Sequence, residues 1–361
     1  MQLLNHILPV SPSQFLLRPP LFISPPTHAR LATTHFPAMQ DPPANSSLPP
    51  PSDPENRPRL SPAEVPEPRL STGARIAIYL GAAVLLTLVL GLMPTEASGA
   101  SIPGATFPWL MFLQEVLLFA SAFLPACLLA QFEFRAIADY GLPFRQFLGA
   151  RFWQGCVLGL AEISLLIGGI ALFGGYRFGS VALPGARSVV EWFVFWFVFF
   201  IVVGLYEEFA FRGYLQFTLT DATGFWPAAV ILSLGFGSLH LLNRGENWVG
   251  AASVATVGLV FALALQRTGN LWFVVGWHAA FDFGETFLYS VPNSGAVFNG
   301  HLSNASLQGP LWLTGGSVGP EGSVFSFVIM GLTALLVHFR FPQAKYSTER
   351  SRPAAGTQAA L

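Results

Sequence analysis

From residue 76 to residue 341 the chain is a succession of long apolar runs separated by short polar breaks. A helix that crosses a bilayer needs roughly 20 mostly apolar residues, with a range of about 17–25. On that measure the pattern predicts spans at 76–93, 108–131, 152–173, 189–216, 226–242, 250–266, 271–289 and 323–341. The fifth and sixth are short and rich in Ala, Gly and Ser, residues that let helices approach closely. The expected fold is all-α, a polytopic membrane bundle of about eight transmembrane helices over 73–345. Before it, residues 1–72 hold 17 of the 29 prolines, a composition that cannot bury a core and is expected to be disordered. Its opening lacks a basic stretch, and Pro9 and Pro12 interrupt its short apolar run, so no signal peptide is expected there. Residues 346–361 form a polar tail.

Composition agrees with the pattern. The chain is 52% hydrophobic and only 10% charged, with mean hydropathy +0.53, which excludes an ordinary soluble domain. A net charge of −1 removes any electrostatic case for nucleic acid. Cys127 and Cys156 sit in apolar runs at no metal-binding spacing and read as structural. Lys and Arg set the orientation. Arg57, Arg59, Arg69, Arg75, Arg135, Arg145, Arg151, Arg267, Arg340, Lys345, Arg350 and Arg352 fall on one side of eight spans, against Arg177, Arg187 and Arg244 on the other. Both termini are therefore expected in the cytoplasm, with the protein integral to the plasma membrane and the lipid bilayer as its surroundings.

The chemistry concentrates in the fourth span, where Glu207 and Glu208 are followed by Arg212. Ionisable groups in a membrane helix cost about 2.5–3.5 kcal/mol each on insertion scales and mark function by default. Glu208 and Arg212, four residues apart, meet on one helical face. Glu207 points about 100° away and is free to face something else. The fifth span ends on Phe236-Gly-Ser-Leu-His240, and the seventh holds His278-Ala-Ala-Phe-Asp282. His278 and Asp282 share a face, and Glu285 continues it. His240 falls nearer the opposite membrane face than Glu207, so the fifth span is expected to start later and to take in more of 243–249. A carboxylate and two imidazoles gathered from three helices can activate water and stabilise an oxyanion, the equipment for amide hydrolysis. An ionised Asp282 cannot donate a hydrogen bond, so it either carries a proton or orients His278. Glu162 and Glu115 are further carboxylates within apolar spans and match no motif.

The order EExxxR, FxxxH, HxxxD on separate apolar spans resembles the CAAX protease and bacteriocin-processing family of intramembrane endopeptidases, which includes the eukaryotic prenyl-protein endopeptidases. The likeness covers roughly 190–290 and weakens toward 322, where Gly-Pro-Glu-Gly-Ser323 also has a familiar look. The resemblance implies Glu207 as catalytic base, His240 as its assistant, and His278 with Asp282 as the oxyanion site. Glu208, Arg212 and Phe236 take supporting roles. Many members have Asn where this chain has Asp282. The implied partner is a peptide or protein substrate, membrane-associated or not, and nothing in the sequence points to a prenylated one.

No cofactor is expected, yet zinc stays open as an alternative. HExxH is absent, but Glu207, His240, His278 and Asp282 make a conceivable two-His, two-carboxylate set, and early family members were described as metalloproteases. A proton-coupled transporter using the buried Glu and His is the rival from another class. Inverted repeats would favour it, and none is visible.

Overall fold

The computed structural model describes residues 70–90, 107–243 and 245–346, all within the compact unit Arg59–Leu361. The Pro-rich segment up to residue 69, the tail after 346 and Arg244 lie outside the described residues. What is described is mostly helix, and each apolar run falls on one. In chain order these are α1 (Thr72–Leu90), α2 (Trp109–Phe132), α3 (Ala150–Leu172), α4 (Gly185–Glu208), α5 (Gln216–Thr223), α6 (Phe225–His240), α7 (Trp248–Thr268), α8 (Leu271–Phe283), the short α9 (Leu311–Thr314) and α10 (Val324–Arg340). Five helices are long and apolar enough to cross a membrane: α1, α2, α3, the continuous Gly185–Thr223 and α7. α6 and α10 are shorter apolar helices, and α8 has 13 residues.

Two wide, π-type turns interrupt the pattern. Phe209–Leu215 joins α4 to α5 and contains a kink at Gly213 (φ −83°, ψ −114°). Gly284–Leu288 prolongs α8. Single π turns inside helices often accompany functional sites. The first of them corrects the depth argument made from the sequence. The helix that carries Glu207 does not end near Gln216 but runs on to Thr223, so Glu207 stands well inside it. α6 ends at His240, and the turn that follows leads to Asn247, whose side chain caps α7 by accepting from Val249 and Gly250 N–H. The fifth span therefore does not extend into 243–249. Its Asn and Gly residues form the turn between two helices instead.

α8 is the central element. All its residues but Phe281 are buried, as expected of a helix that is apolar on every side but the one that carries His278 and Asp282. It packs most extensively on α3, then on α4. The α3 contact depends on Gly155 and Gly159. A Cβ at either position would collide with a backbone carbonyl of α8, Phe273 O and Trp277 O respectively. The absence of side chains lets the two backbones touch. Outward faces of α1, α6 and α10 carry exposed Leu85, Leu88, Ile231, Leu234, Leu332 and Phe339, an apolar exterior suited to lipid.

The loops sort to two ends. At one, Arg75 pairs with Glu133 (3.1 Å) and Asp221 (3.4 Å), and Arg135 approaches Asp221 (3.6 Å). Leu271 N–H donates to Gly141 O, and Lys345 N–H donates to Gln266 O at that end. At the other, β1 (Tyr176–Arg177) and β2 (Ser306–Leu307) pair antiparallel, Tyr176 opposite Leu307. Residues 290–322 lie here as well.

Candidate active site

Glu207 and Glu208 are the last two residues of α4 before the π turn, and consecutive helical positions send them to different surroundings, though both reach His278. Glu208 is fully buried. Its Oε1 meets Arg212 Nη1 at 3.3 Å and His278 Nδ1 at 2.8 Å. The Arg212 guanidinium lies 4.3 Å from the centre of the Phe236 ring, a cation–π contact in a desolvated place. Gly258 on α7 leaves room for the guanidinium, since a Cβ there would strike Arg212. The ion pair expected from the four-residue spacing is present. Its third member, His278, comes from a helix seventy residues on.

Glu207 instead faces a cavity of about 720 Å³, which His240, His278 and Asp282 also line. Its Oε2 is 3.6 Å from His278 Nε2, and Asp282 Oδ2 is 3.4 Å from the same nitrogen. With Nδ1–H donating to Glu208, the far nitrogen of His278 stands between two carboxylates and serves as a donor to them when it carries a proton. This geometry fits Asp282 as a group that orients His278. His240 is held differently. Its Nδ1 lies 2.9 Å from Phe236 O. A carbonyl only accepts, so Nδ1 carries the hydrogen and Nε2 of the neutral ring is left to accept. The Phe236 ring meets the His240 ring edge-on at 4.7 Å, so one phenylalanine supports both Arg212 and His240.

The cavity holds more than the three motifs anticipated. Glu115 of α2 and Glu162 of α3 line it, as do Asn243, Asn293 and Glu321 from the loops. The two helical carboxylates were marked by their place in apolar runs. Glu321 lies in the Gly-Pro-Glu-Gly-Ser323 stretch, and its Oε2 accepts from Ser294 N–H (2.7 Å) and Ser294 Oγ–H (2.8 Å), tying that loop to residues 293–298, which form one wall. Burial, then the charge of Asp282, pushes the Glu321 carboxyl up to about 8. Asn243 and Asn293 carried no signal in sequence. Glu285 is completely buried but does not line the cavity, and among the described residues neither of its carboxylate oxygens has a hydrogen-bond partner.

Among the described residues no group of three or more His, Cys, Asp or Glu is arranged to hold a metal. Nδ1 of His278 is engaged by Glu208, which leaves its Nε2 as the nitrogen that could serve as a ligand.

A helical, membrane-type bundle with a cavity lined by carboxylates and imidazoles defines a class, and comparison with known families narrows it. Residues 189–284 match the family described as Rce1-like, type II CAAX prenyl endopeptidase Rce1-like, in agreement with the resemblance carried by the three motifs. The matched region runs from α4 into the turn after α8 and contains Glu207, Glu208, Arg212, Phe236, His240, His278 and Asp282. No curated protein matches the chain. The match supports a peptidase, a hydrolase with a protein substrate. Together with the five apolar helices it points to an integral membrane protein.

Proposed function

We propose that the chain is an intramembrane endopeptidase in which Glu207 activates water for attack on a peptide bond. The observation that carries the reading is that Glu207, His240, His278 and Asp282, from three helices, line one cavity inside a region that matches a peptidase family. In this reading Glu207 takes a proton from water as the oxygen attacks the carbonyl carbon. His240 Nε2 accepts from the same water and fixes its position. His278, held by Glu208 and Asp282, donates to the oxygen that becomes negative. Collapse of the tetrahedral species breaks the C–N bond, and the proton on Glu207 goes to the departing amine. Glu208 and Arg212 hold the helix and the imidazole in place.

The accompanying topology has all eight apolar helices across the plasma membrane with both termini cytoplasmic. The charge bias of the loops and their sorting to two ends support it. The decisive experiment is cleavage of peptides by the purified protein compared with Glu207→Gln. Loss of cleavage in a variant that still folds supports the assignment, and undiminished cleavage overturns it.

A further inference from the structure

Glu162 has no part in that reaction, yet it is an acidic residue midway along an apolar helix. Gly155, Gly159 and Glu162 recur at helical spacing on one face of α3. The two glycines bring that face against the α8 backbone, which sets Glu162 beside Trp277, the residue before His278. Glu162 is 3% exposed. Its Oε2 accepts from Trp277 Nε1–H, and its Oε1 has no hydrogen-bond partner among the described residues. Thr333 stands nearby, but its single hydroxyl hydrogen goes to Ile329 O (2.8 Å). A buried carboxylate oxygen left without a donor is costly, and this one belongs to a side chain that lines the cavity. The surrounding wall is apolar and aromatic: Leu166, Trp277, Phe281, Ile329 and Met330.

The rest of the lining is rich in carboxyl groups. Glu115, Glu162, Glu207, Asp282 and Glu321 face the cavity, against His240 and His278, and no Lys or Arg among the described residues lines it. Arg212 is spent on Glu208 behind the wall. Among the described residues, a peptide that ended in a free carboxylate beside the site would meet no Lys or Arg. A long basic side chain fits both features, since its alkyl stem packs on apolar walls while its charged tip reaches a carboxylate.

We propose that the pocket ending at Glu162 is a specificity subsite that accepts a Lys or Arg side chain of the peptide, through Glu162 Oε1 and the apolar wall around it. That the ligand is a peptide rests on the endopeptidase reading. The recognition chemistry does not.

The test uses the full-length protein in detergent carrying Glu207→Gln, so that binding is measured apart from hydrolysis. The probes are short peptides in which Lys, norleucine or Glu is walked through successive positions. At one position Lys is expected to bind at least about tenfold more tightly than norleucine, and Glu least tightly. In the Glu162→Gln, Glu207→Gln double variant the gap between Lys and norleucine closes. Glu162→Met, which puts an apolar side chain of similar length in place of the carboxylate, repeats the measurement if the Gln variant fails to accumulate. Equal binding of Lys and norleucine at every position, or a Lys preference that survives loss of Glu162, overturns the subsite. Cleavage by the unmodified protein is followed in parallel. Selective binding without cleavage removes the endopeptidase reading and keeps the subsite, whereas cleavage indifferent to Lys does the reverse.

Discussion

One oxygen of Glu208 serves two partners, Arg212 at 3.3 Å and His278 Nδ1 at 2.8 Å. The residue that neutralises the buried arginine is thus also the one that sets the tautomer and orientation of the imidazole. Structural and chemical roles meet at a single carboxylate, and variants of its two partners separate them.

Arg212→Ala leaves Glu208 as a buried charge with only His278 for company. Removing one partner of a buried pair costs about 3–5 kcal/mol, and the contact with Phe236 is lost as well. The expected result is a clear drop in melting temperature in detergent and less folded protein in the membrane. Glu208→Gln leaves the buried Arg212 without its counter-charge, so it should also lower the melting temperature, and it should reduce turnover through His278. Normal thermal stability with complete loss of activity in Arg212→Ala would move Arg212 from support into the chemistry.

Glu207→Gln retains shape and removes the base. Hydrolysis should fall by about 10²–10⁴-fold while the melting temperature stays close to that of the parent protein. A variant that retains most of its kcat rules Glu207 out as the base.

His240→Ala and His278→Ala should each cripple turnover, the first through the position of water and the second through the oxyanion. A zinc enzyme would lose activity in the same variants, so chelation separates the mechanisms. Exhaustive treatment with a strong chelator, followed by metal analysis, should leave a metal-free protein that still cleaves. Activity lost on chelation and restored by stoichiometric zinc would recast these side chains and Asp282 as ligands.

Glu321, in the loop before α10, links stability to pH. Its carboxyl is raised to about 8 in the folded protein by burial and by Asp282, against about 4.3 when unfolded. Between these values the folded state holds a proton that the unfolded chain has released. Stability therefore falls as pH rises through this window. Glu321→Gln mimics the protonated form and should melt at a higher temperature than the parent near pH 9, with the difference shrinking toward pH 4. A parent protein more stable at high pH, with no change in the variant, contradicts the assignment.

Topology is open to reporter fusions. One at Asn304, in the loop that pairs with β1, should read external, and one after Lys345 should read cytoplasmic. Two reporters on the same side would change the number of crossings and the membrane face on which the cavity opens.

What the sequence by itself determined is what local spacing carries. Apolar runs of membrane length fall on helices because backbone polar groups in an apolar setting must pair within the segment. The contact of Glu208 with Arg212 and the common face of His278 and Asp282 follow from four-residue spacing on a helix. The motifs sufficed to single out Glu207, His240 and His278. Tertiary structure alone decided which of these groups meet. Glu208 reaches His278, and Glu162 reaches Trp277, across long stretches of chain, through helix contacts set by glycines whose partners no local pattern names. The wide turn after Glu208 is likewise invisible in periodicity, because one extra residue in a turn leaves the apolar run unbroken. The cavity wall formed by residues 293–298 and Glu321 depends on loops folding back over the bundle. Loop placement comes from distant hydrogen bonds such as those from Ser294 to Glu321, and hydrophobic patterning carries no information about them.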